Sequence, residues 1–408
     1  MSGFTAGEYQ AALVLGHDRV APLPPLAVDG RIAKLQTLLN RGVQAGASDF
    51  ETLQSQALLV TNPANIRYLT GFTGSSGRVL VTLAEAILVT DARYEARAAE
   101  ALANAHCSAR IVILRTVTEQ DAFLTQAIAS AGVVKLGLEA DHVSWHDAER
   151  YRAFVASAEG EGEGEGELIA ETDAVERLRR TKEPAEVARL ARASTIADDG
   201  FAQVLPMLSK PITERDFALA LEDAMRAYGS EEPSFSTIIA AGTNASRPHH
   251  EPGNHVIQEG DEVICDFGAT CEGYRSDMTR TVYVGEPSLK QLRHFAVVQQ
   301  AHDAGIDAVT PGVSGLAVDA QTRQVIINAG WGEFFVHGTG HGSGLLIHEA
   351  PWIGPTSTSI LAAGDIVTVE PGVYLPGAGG VRIEDSMLVT DGGPLLLTRS
   401  PYDLVVPR

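Results

Sequence analysis

Short apolar runs alternate with polar, helix-like stretches through the first half of the chain. Four runs have the length and aliphatic content of buried β-strands: residues 58–60, 79–81, 87–89 and 111–114. Runs of this kind, separated by helical stretches, are typical of a sheet with helices packed against it. The pattern from Arg31 to about residue 170 therefore predicts an α/β domain.

The second half combines longer helical stretches with alternating strands. Helical periodicity covers three segments: residues 183–208, 289–309 and 314–329. A further helix is indicated by Thr213 and Asp216, which form a capping pair, and by Gly229 as its terminator. Two β-hairpins are predicted between and after these helices, over residues 263–284 and 368–385. Helices together with antiparallel hairpins predict an α+β layout for this half.

Each predicted hairpin carries two acidic residues in an unusual relation. In the first hairpin, residues 270–273 form the predicted turn, and counting back along both strands places Asp266 opposite Asp277 on one face. In the second hairpin, Glu370 and Glu384 flank the turn in the same way. Like charges directly opposite each other destabilise a strand pair, so both pairs require a positive partner.

A metal centre is the partner that these acids indicate. A solvated strand position explains any single acid, but it does not explain two hairpins with opposed acids. Buried carboxylates are normally paired or bound to metal, and Arg382, the cation nearby in the sequence, cannot neutralise four of them. Two divalent cations come close to doing so. Oxygen ligands with one imidazole, from His341, suit Mn²⁺, Fe²⁺, Co²⁺ or Zn²⁺ in a catalytic role better than a structural zinc.

Composition and charge argue against several other functions. At 408 residues the chain is long enough for two domains with full cores. Its 52 acidic and 31 basic residues give a formal net charge of −21, which opposes binding to nucleic acid or to an anionic membrane. The three cysteines have neither metal-type nor disulfide-type spacing, so a reducing cytoplasm is the predicted setting. The sequence has no apolar run of the roughly 18 to 20 residues of a membrane span and no signal-peptide pattern.

The glycine-rich segment 337–344 fits neither of two common motifs. Its spacing matches neither a Walker loop nor the dinucleotide-binding fingerprint. His337 and His341 have the spacing of a helical zinc motif, but the glycines oppose a helix and no glutamate follows His337. What remains is a tight loop whose backbone approaches a ligand closely. Two further histidines, His249 and His348, lie in similar turn-rich segments.

Taken together, these segments resemble the metallopeptidase family that contains Xaa-Pro aminopeptidase (aminopeptidase P), Xaa-Pro dipeptidase (prolidase) and methionine aminopeptidase. The matching stretches of the second half are residues 264–268, 276–281, 337–351, 369–374 and 379–385. In the first half, residues 65–74 and 90–94 resemble the N-terminal domain of the proline-specific members, which methionine aminopeptidases lack. Ser343 and Leu346 differ from the residues that are common in relatives, which affects details of the pocket and none of the metal ligands.

The resemblance implies a domain organisation. Residues 29–172 would form a creatinase-like N-terminal α/β domain, and residues 173–408 an α+β catalytic domain of the pita-bread fold. Residues 1–28, with prolines at their end, are predicted to be a poorly ordered N-terminal extension. The alternating Glu-Gly tract 159–167 predicts a flexible surface loop. Relatives with this layout are usually homodimers or larger, so we expect at least a homodimer.

The resemblance also implies a site for two divalent metal ions, with Mn(II) as the expected ion and Co(II), Zn(II) or Fe(II) as alternatives. Five residues would bind the metals: Asp266, Asp277, His341, Glu370 and Glu384. Asp277 and Glu384 would bridge the two ions. Asp266 would bind one ion, and His341 with Glu370 would bind the other.

Four side chains would take part in catalysis: His249, His348, Glu370 and Arg382. Glu370 would pass a proton to the leaving proline nitrogen. His249 and His348 would stabilise the tetrahedral intermediate and hold the carbonyl on the proline side. Arg382 would orient carboxylates or bind a carboxylate of the substrate.

The implied activity is that of a metal-dependent exopeptidase of the aminopeptidase P type, which hydrolyses the Xaa-Pro bond at the N-terminus of a peptide. An X-Pro bond has no N–H and a fixed φ, so peptidases that bind the N–H fit it poorly. Prolidase, which cuts only dipeptides, is the close alternative. A non-peptidase enzyme such as a lyase, or a peptide-binding module, is a more distant one. Creatinase shares the fold but lacks the metal ligands that are present here.

Overall fold

The structure is a computed structural model that describes residues 4–45, 52–156 and 166–407. Residues Met1–Pro24 and Arg180–Arg408 form one compact unit, and residues Pro25–Arg179 form a second. Most of the tract predicted as a flexible loop, residues 159–165, lies outside the described residues. In the three described ranges, no helix has both the length and the apolar character that crossing a bilayer requires.

The segment before the first unit boundary contains a helix, α1 (Ala6–His17), which differs from the poorly ordered extension predicted there. Thr5 caps this helix through its side chain. Helix α8 (Pro184–Val204) packs against it, and Nε of Arg192 in α8 donates to the carbonyl of Gly16 at 2.8 Å. The prolines that suggested disorder follow the helix and do not interrupt it.

The unit Pro25–Arg179 has the predicted α/β architecture. Its helices are α2 (Arg31–Ala45), α3 (Pro63–Thr70), α4 (Glu95–Asn104), α5 (Val117–Ser130), α6 (Trp145–Ala156) and, at its end, α7 (Glu176–Arg180). Its strands are β1 (Ala57–Val60), β2 (Arg78–Thr82), β3 (Ala86–Thr90), β4 (Arg110–Ile113), β5 (Lys135–Glu139) and β6 (Glu167–Glu171). They form a mixed sheet in the order β4–β3–β2–β1–β5–β6. The four predicted strands are β1 to β4, so this prediction is confirmed.

The other unit combines helices with strands that pair antiparallel, apart from one parallel pair among the described residues. Its helices after α8 are α9 (Glu214–Ala227), α10 (Leu289–Ala308) and α11 (Gly315–Asn328). Its strands are β7 (Ile238–Ala241), β8 (Glu262–Phe267), β9 (Thr270–Cys271), β10 (Tyr274–Arg275), β11 (Met278–Val284), β12 (Gly340–Gly342), β13 (Glu349–Ile353), β14 (Ile366–Val369), β15 (Gly372–Leu375), β16 (Gly379–Arg382), β17 (Asp385–Leu388), β18 (Leu395–Leu396) and β19 (Leu404–Val406). One sheet has the order β19–β11–β8–β7 and another the order β13–β12–β14–β17–β18. The predicted α+β layout is confirmed.

Capping side chains set the start of these helices. The side chain of Thr213 accepts a hydrogen bond from the N–H of Asp216 at 3.0 Å and so begins α9. Gly229, with φ of +106°, follows the end of this helix, as predicted. Ser288 caps α10 and Ser314 caps α11 in the same way as Thr213 caps α9.

An apolar core beneath the sheet β19–β11–β8–β7 fixes strand β8. Phe201 of α8 and Phe267 of β8 are 1% exposed or less, and their ring centroids lie 4.9 Å apart. Burying an aromatic side chain of this size contributes roughly 1.5–3 kcal/mol. Because side chains alternate along a strand, Asp266 leaves the opposite face of β8 from Phe267. The core therefore determines the direction of this acid.

The turn of the first hairpin is shorter than predicted. Cys271 pairs with Tyr274, so the turn has two residues, Glu272 and Gly273, where the sequence predicted four, 270–273. Their φ angles are +44° and +74°, which is the conformation of a type I′ turn. This turn matches the right-handed twist of its strands, which favours it over the longer loop.

The pairing of the first two acids is consequently not the predicted one. Asp266 lies opposite Thr279, and not opposite Asp277, because the register is displaced by two residues. A displacement of two preserves the face on which a side chain lies. Asp266 and Asp277 are therefore diagonal neighbours on the same face of the hairpin.

The second hairpin pairs in one continuous register, with a turn of three residues, 376–378. Strand β14 pairs with β17 so that Val369 faces Asp385, and β15 pairs with β16 in continuation of the same register. Glu370 and Glu384 lie in the gap between these two strand pairs. Extending the register across the gap places them opposite each other, although their N–H groups donate to the carbonyls of Thr339 and Thr279 and not to each other.

Candidate metal centre

Three buried side chains, which lie on different strands or directly beside them, bring possible ligand atoms together. One atom each of Asp277, His341 and Glu384 lies within 4.8 Å of the other two. Nε2 of His341 lies 3.5 Å from Oδ2 of Asp277 and 3.4 Å from Oε1 of Glu370. Residues from both hairpins and from strand β12 thus converge on one point.

Asp266 is connected to this group through Arg382. Nη2 of Arg382 donates to Oδ2 of Asp266 at 2.6 Å, and Nε of Arg382 donates to Oγ1 of Thr279 at 3.1 Å. Thr279 in turn donates to Oε2 of Glu384 at 2.8 Å. One guanidinium and one hydroxyl therefore fix the orientation of two carboxylates.

The imidazole of His341 is held in the form that binds metals. Its Nδ1 lies 3.0 Å from the carbonyl oxygen of Gly342, which accepts a hydrogen bond and cannot donate one. The proton is therefore on Nδ1, and the lone pair of Nε2 faces the carboxylates. Burial, the largest cause, lowers the pKa of His341 to about 4, so the ring is neutral at pH 7.

Burial and the charges of neighbouring acids raise the pKa values of three carboxyl groups at the site, those of Asp277, Glu370 and Glu384. For Asp277 burial is the largest cause, and the charges of Asp266 and Glu370 add to it. Burial followed by the charge of Asp277 raises the pKa of Glu384 well above its usual range. Burial raises the pKa of Glu370 to about 8. A cation among these groups reverses the effect, because it favours their ionised forms.

Unpaired carboxylate oxygens show that these residues fit a metal centre. Oδ1 of Asp266 and Oε1 of Glu384 are buried without a hydrogen-bond partner in the described part of the chain. A buried acceptor without a partner costs roughly 1–3 kcal/mol, and more when it is charged. A metal ion supplies that partner. Four carboxylates and one neutral imidazole form a donor set that suits divalent ions such as Mn²⁺, Fe²⁺, Co²⁺ and Zn²⁺.

The group of acids lies in a cavity of about 1000 Å³. All the site residues predicted from the sequence line this cavity: His249, Asp266, Asp277, His341, His348, Glu370, Arg382 and Glu384. The ring of His348 is 4.5 Å from that of His341 between centroids, and burial lowers the pKa of His348. His249 and His348 are exposed, so their rings are open to a ligand that enters the cavity.

Two residues that the sequence analysis missed, Thr279 and Tyr374, connect the site residues. Oη of Tyr374 accepts a hydrogen bond from Nη1 of Arg382 at 2.8 Å and lies 2.9 Å from Nε2 of His337. Thr279 carries a sequence signal, because it follows Asp277 by two and therefore shares its face. Tyr374 carries one as well, because it lies on the predicted second hairpin eight residues before Arg382, whereas its contact with His337, 37 residues away, depends on the fold.

Trp352 is a third residue that the sequence analysis missed. It lies opposite His341 in the pairing of β12 with β13, and the two rings are 6.4 Å apart between centroids. Its side chain is exposed and lines the cavity. Only the strand pairing places this indole beside the candidate ligands.

Comparison with known proteins assigns families to both parts of the chain. Residues 188–391 match metallopeptidase family M24, and residues 47–181 match the creatinase/prolidase N-terminal domain. The chain is also 37% identical over 361 residues to the uncharacterized peptidase YqhT of Bacillus subtilis. That match covers 88% of this chain and 97% of the relative.

Solved structures agree with the sequence matches. An Xaa-Pro dipeptidase from Bacillus anthracis superposes with a TM-score of 0.83 at 34% identity, over 93% of this chain and 99% of that one. An X-Pro aminopeptidase from Thermotoga maritima has a TM-score of 0.78 at 31% identity, over 87% and 98%. The predicted fold class, an α/β domain followed by a pita-bread domain, is confirmed. The chain therefore belongs to metallopeptidase family M24 and is a hydrolase of the group that carries a creatinase/prolidase N-terminal domain.

Proposed function

We propose that this protein is an exopeptidase of the aminopeptidase P type, which hydrolyses the Xaa-Pro bond at the N-terminus of peptides. The observation that carries the proposal is the convergence of four carboxylates and one neutral imidazole in a single cavity of peptide size. Two structural relatives, an Xaa-Pro dipeptidase and an X-Pro aminopeptidase, support the same scissile bond.

Five residues would hold two divalent metal ions: Asp266, Asp277, His341, Glu370 and Glu384. When bound, the ions lower the pKa of water enough to supply a nucleophile at neutral pH and polarise the scissile carbonyl. We propose Mn(II) as the ion, in keeping with the oxygen-rich donor set. The hydrogen bonds from Arg382 and Thr279 keep two of the carboxylates oriented before the metals arrive.

The remaining steps are assigned to side chains of the cavity wall. Glu370 would carry a proton to the leaving nitrogen, which needs one because an amide anion is a poor leaving group. His249 and His348 would donate hydrogen bonds to the oxygen of the tetrahedral intermediate and to the carbonyl on the proline side. Neither interaction uses an N–H of the scissile bond, which an X-Pro bond lacks.

The charges of the cavity favour a peptide longer than a dipeptide. A dipeptidase has to accept the free carboxylate of the proline, which requires a positive partner once it leaves water. Among the lining residues, all of which lie in the described part of the chain, Arg382 is the one lysine or arginine. Its hydrogen bonds go to Asp266, Thr279, Tyr374 and the carbonyl of Pro248. Because the guanidinium of Arg382 already donates to these groups, it is a poor partner for the carboxylate of a dipeptide. This supports aminopeptidase P over prolidase.

Product analysis after reconstitution with manganese tests the proposed function. An Xaa-Pro-Yaa tripeptide, a Gly-Pro dipeptide and an Xaa-Ala-Yaa control are offered in separate reactions. A hydrogen bond to a charged group is worth roughly 1.5–3 kcal/mol, so we expect kcat/KM to be about 10- to 100-fold higher for the tripeptide than for the dipeptide. Cleavage of the dipeptide alone would identify a prolidase. Cleavage of neither proline peptide would reject the activity.

We expect His348→Ala to lower kcat by about 10²-fold, the usual scale for the loss of one transition-state donor. Metal content should stay at the wild-type value, because His348 is not among the proposed ligands. Steady-state kinetics and elemental analysis measure the two quantities. His146→Ala is the matched control, since His146 is an exposed histidine of the other compact unit. Unchanged kinetics in His348→Ala would remove this residue from the mechanism.

We also propose an oligomeric state and a cellular setting. We propose a homodimer by analogy with two-domain relatives, and light scattering that reports a monomer would contradict it. The three cysteines, Cys107, Cys265 and Cys271, are free thiols, which supports the proposed cytoplasmic setting.

A further inference from the structure

A buried carboxylate outside the group of candidate ligands, that of Glu214, connects three segments of the chain. Glu214 is the first residue of α9 and its side chain is 0% exposed. Its two oxygens accept four hydrogen bonds: from the N–H of Ala241 at 2.9 Å, Nδ2 of Asn244 at 3.0 Å, Nε2 of His250 at 2.8 Å and the N–H of Gly253 at 3.1 Å. These donors belong to the end of β7, to the 3₁₀ turn Gly242–Ser246 and to the loop 247–253.

The four donors keep Glu214 ionised inside the protein. Burial alone raises the pKa of this carboxyl, but the hydrogen bonds outweigh burial and lower the pKa below its usual value. The position at the N-terminus of α9 also favours a negative charge. An ionised carboxylate only accepts hydrogen bonds, so Nε2 of His250 carries a proton and donates it. The contacts of Glu214 are therefore directional and specific to a carboxylate.

The loop 247–253 is held on both sides of His249. After His249, the loop is bound by Glu214 through His250 and Gly253. Before His249, the carbonyl of Pro248 accepts a hydrogen bond from Nη1 of Arg382 at 3.3 Å.

The side chain of His249 itself is exposed at the cavity wall. Among the described residues it has no hydrogen-bond or ion-pair partner, so the loop backbone determines where its ring lies.

We propose that Glu214 is a positioning residue for His249, which fixes the loop that presents this imidazole to the substrate without touching the substrate itself. The inference rests on the proposed peptidase function, because it requires His249 to contact the reacting peptide. The alternative is that Glu214 only stabilises the fold. A buried charged group is not in general needed for stability, which argues against this alternative. The two roles differ in whether the effect of Glu214 passes through His249.

A double-mutant cycle distinguishes the two roles. Wild type, Glu214→Gln, His249→Ala and the double variant are compared in kcat and KM on the Xaa-Pro-Yaa tripeptide. Glutamine keeps the size of the side chain but turns an amide N–H₂ toward groups that donate hydrogen bonds. We expect Glu214→Gln to lower kcat by about 10- to 50-fold with KM within about twofold, as for the loss of an interaction made in the transition state. In the His249→Ala background the same change should have almost no effect on kcat.

Independent measurements accompany the cycle. Metal content should be equal in all four proteins, and in a crystal structure of Glu214→Gln the loop 247–253 should be displaced while the candidate ligands keep their positions. Glu214→Asp retains the charge and serves if the glutamine variant does not fold, with a smaller loss of kcat expected. Asp223→Asn is the matched control, because this acid lies on the same helix and its side chain is 81% exposed.

Three outcomes would overturn the inference. Equal losses of kcat in the presence and absence of His249 would show that Glu214 acts on the fold as a whole. An active wild type with no loss in Glu214→Gln would show that the loop does not need this carboxylate. A wild type without Xaa-Pro activity would instead reject the proposed function, and the role of His249 with it.

Discussion

Replacing Glu384 by glutamine is expected to abolish activity, that is, to lower kcat/KM by at least about 10³-fold. Glu384 would bridge both metal ions, and glutamine removes its negative charge while leaving its shape. One of its oxygens accepts a hydrogen bond from Thr279, and the other is buried without a partner among the described residues. That second oxygen would be available to a bound metal ion. Elemental analysis should show a loss of bound metal in parallel with activity.

A matched control separates this effect from a general loss of charge. Glu286→Gln removes an exposed glutamate and should keep wild-type metal content and kinetics. Asp266→Ala should behave like Glu384→Gln, because Asp266 is a second proposed ligand. Full metal content and full activity in both ligand variants would show that the site has been assigned wrongly.

Manganese is expected to raise the melting temperature of metal-free protein by roughly 8–16 °C when its concentration is about 1,000 times Kd. Binding to the folded state alone contributes about 4 kcal/mol at that concentration, and 1 kcal/mol shifts Tm by about 2–4 °C in a domain of this size. The physical reason is the crowding of carboxyl groups, whose pKa values are raised by burial and by one another. Thermal melts of chelator-treated protein, with and without added manganese, measure the shift.

The same melts on Glu384→Gln provide the control for specific binding. The variant should show less than about half of the wild-type shift, since it lacks a ligand that contacts both ions. An identical shift in the two proteins would place the stabilising manganese elsewhere on the chain.

The sequence predicted which face of the first hairpin carries its two acids better than it predicted how the two strands pair. The alternation of strand residues correctly placed Asp266 and Asp277 on one face, because a displacement of two residues does not change the face. Their direct pairing was wrong, since the type I′ turn at Glu272 and Gly273 is shorter than the loop predicted from composition. Turn geometry depends on φ angles that residue types alone do not determine.

Other features were beyond local patterns because they depend on packing between distant segments. Arg382 was a candidate either for orienting carboxylates or for binding the substrate. Only the packing of β16 beside β8 directs its guanidinium to Asp266, 116 residues away in the sequence. Trp352 enters the cavity wall through strand pairing, and Glu214 gains its role from donors in three segments. Residue types and spacing predicted which side chains meet in the cavity, whereas the contacts that support them depend on the fold.

Anomalous diffraction from crystals grown with manganese tests the proposed dinuclear metal centre. We predict two peaks in the cavity, in contact with the proposed ligands Asp266, Asp277, His341, Glu370 and Glu384. Absence of density at this position, or peaks that leave Asp266, His341 and Glu370 without a metal, would contradict the proposed dinuclear centre.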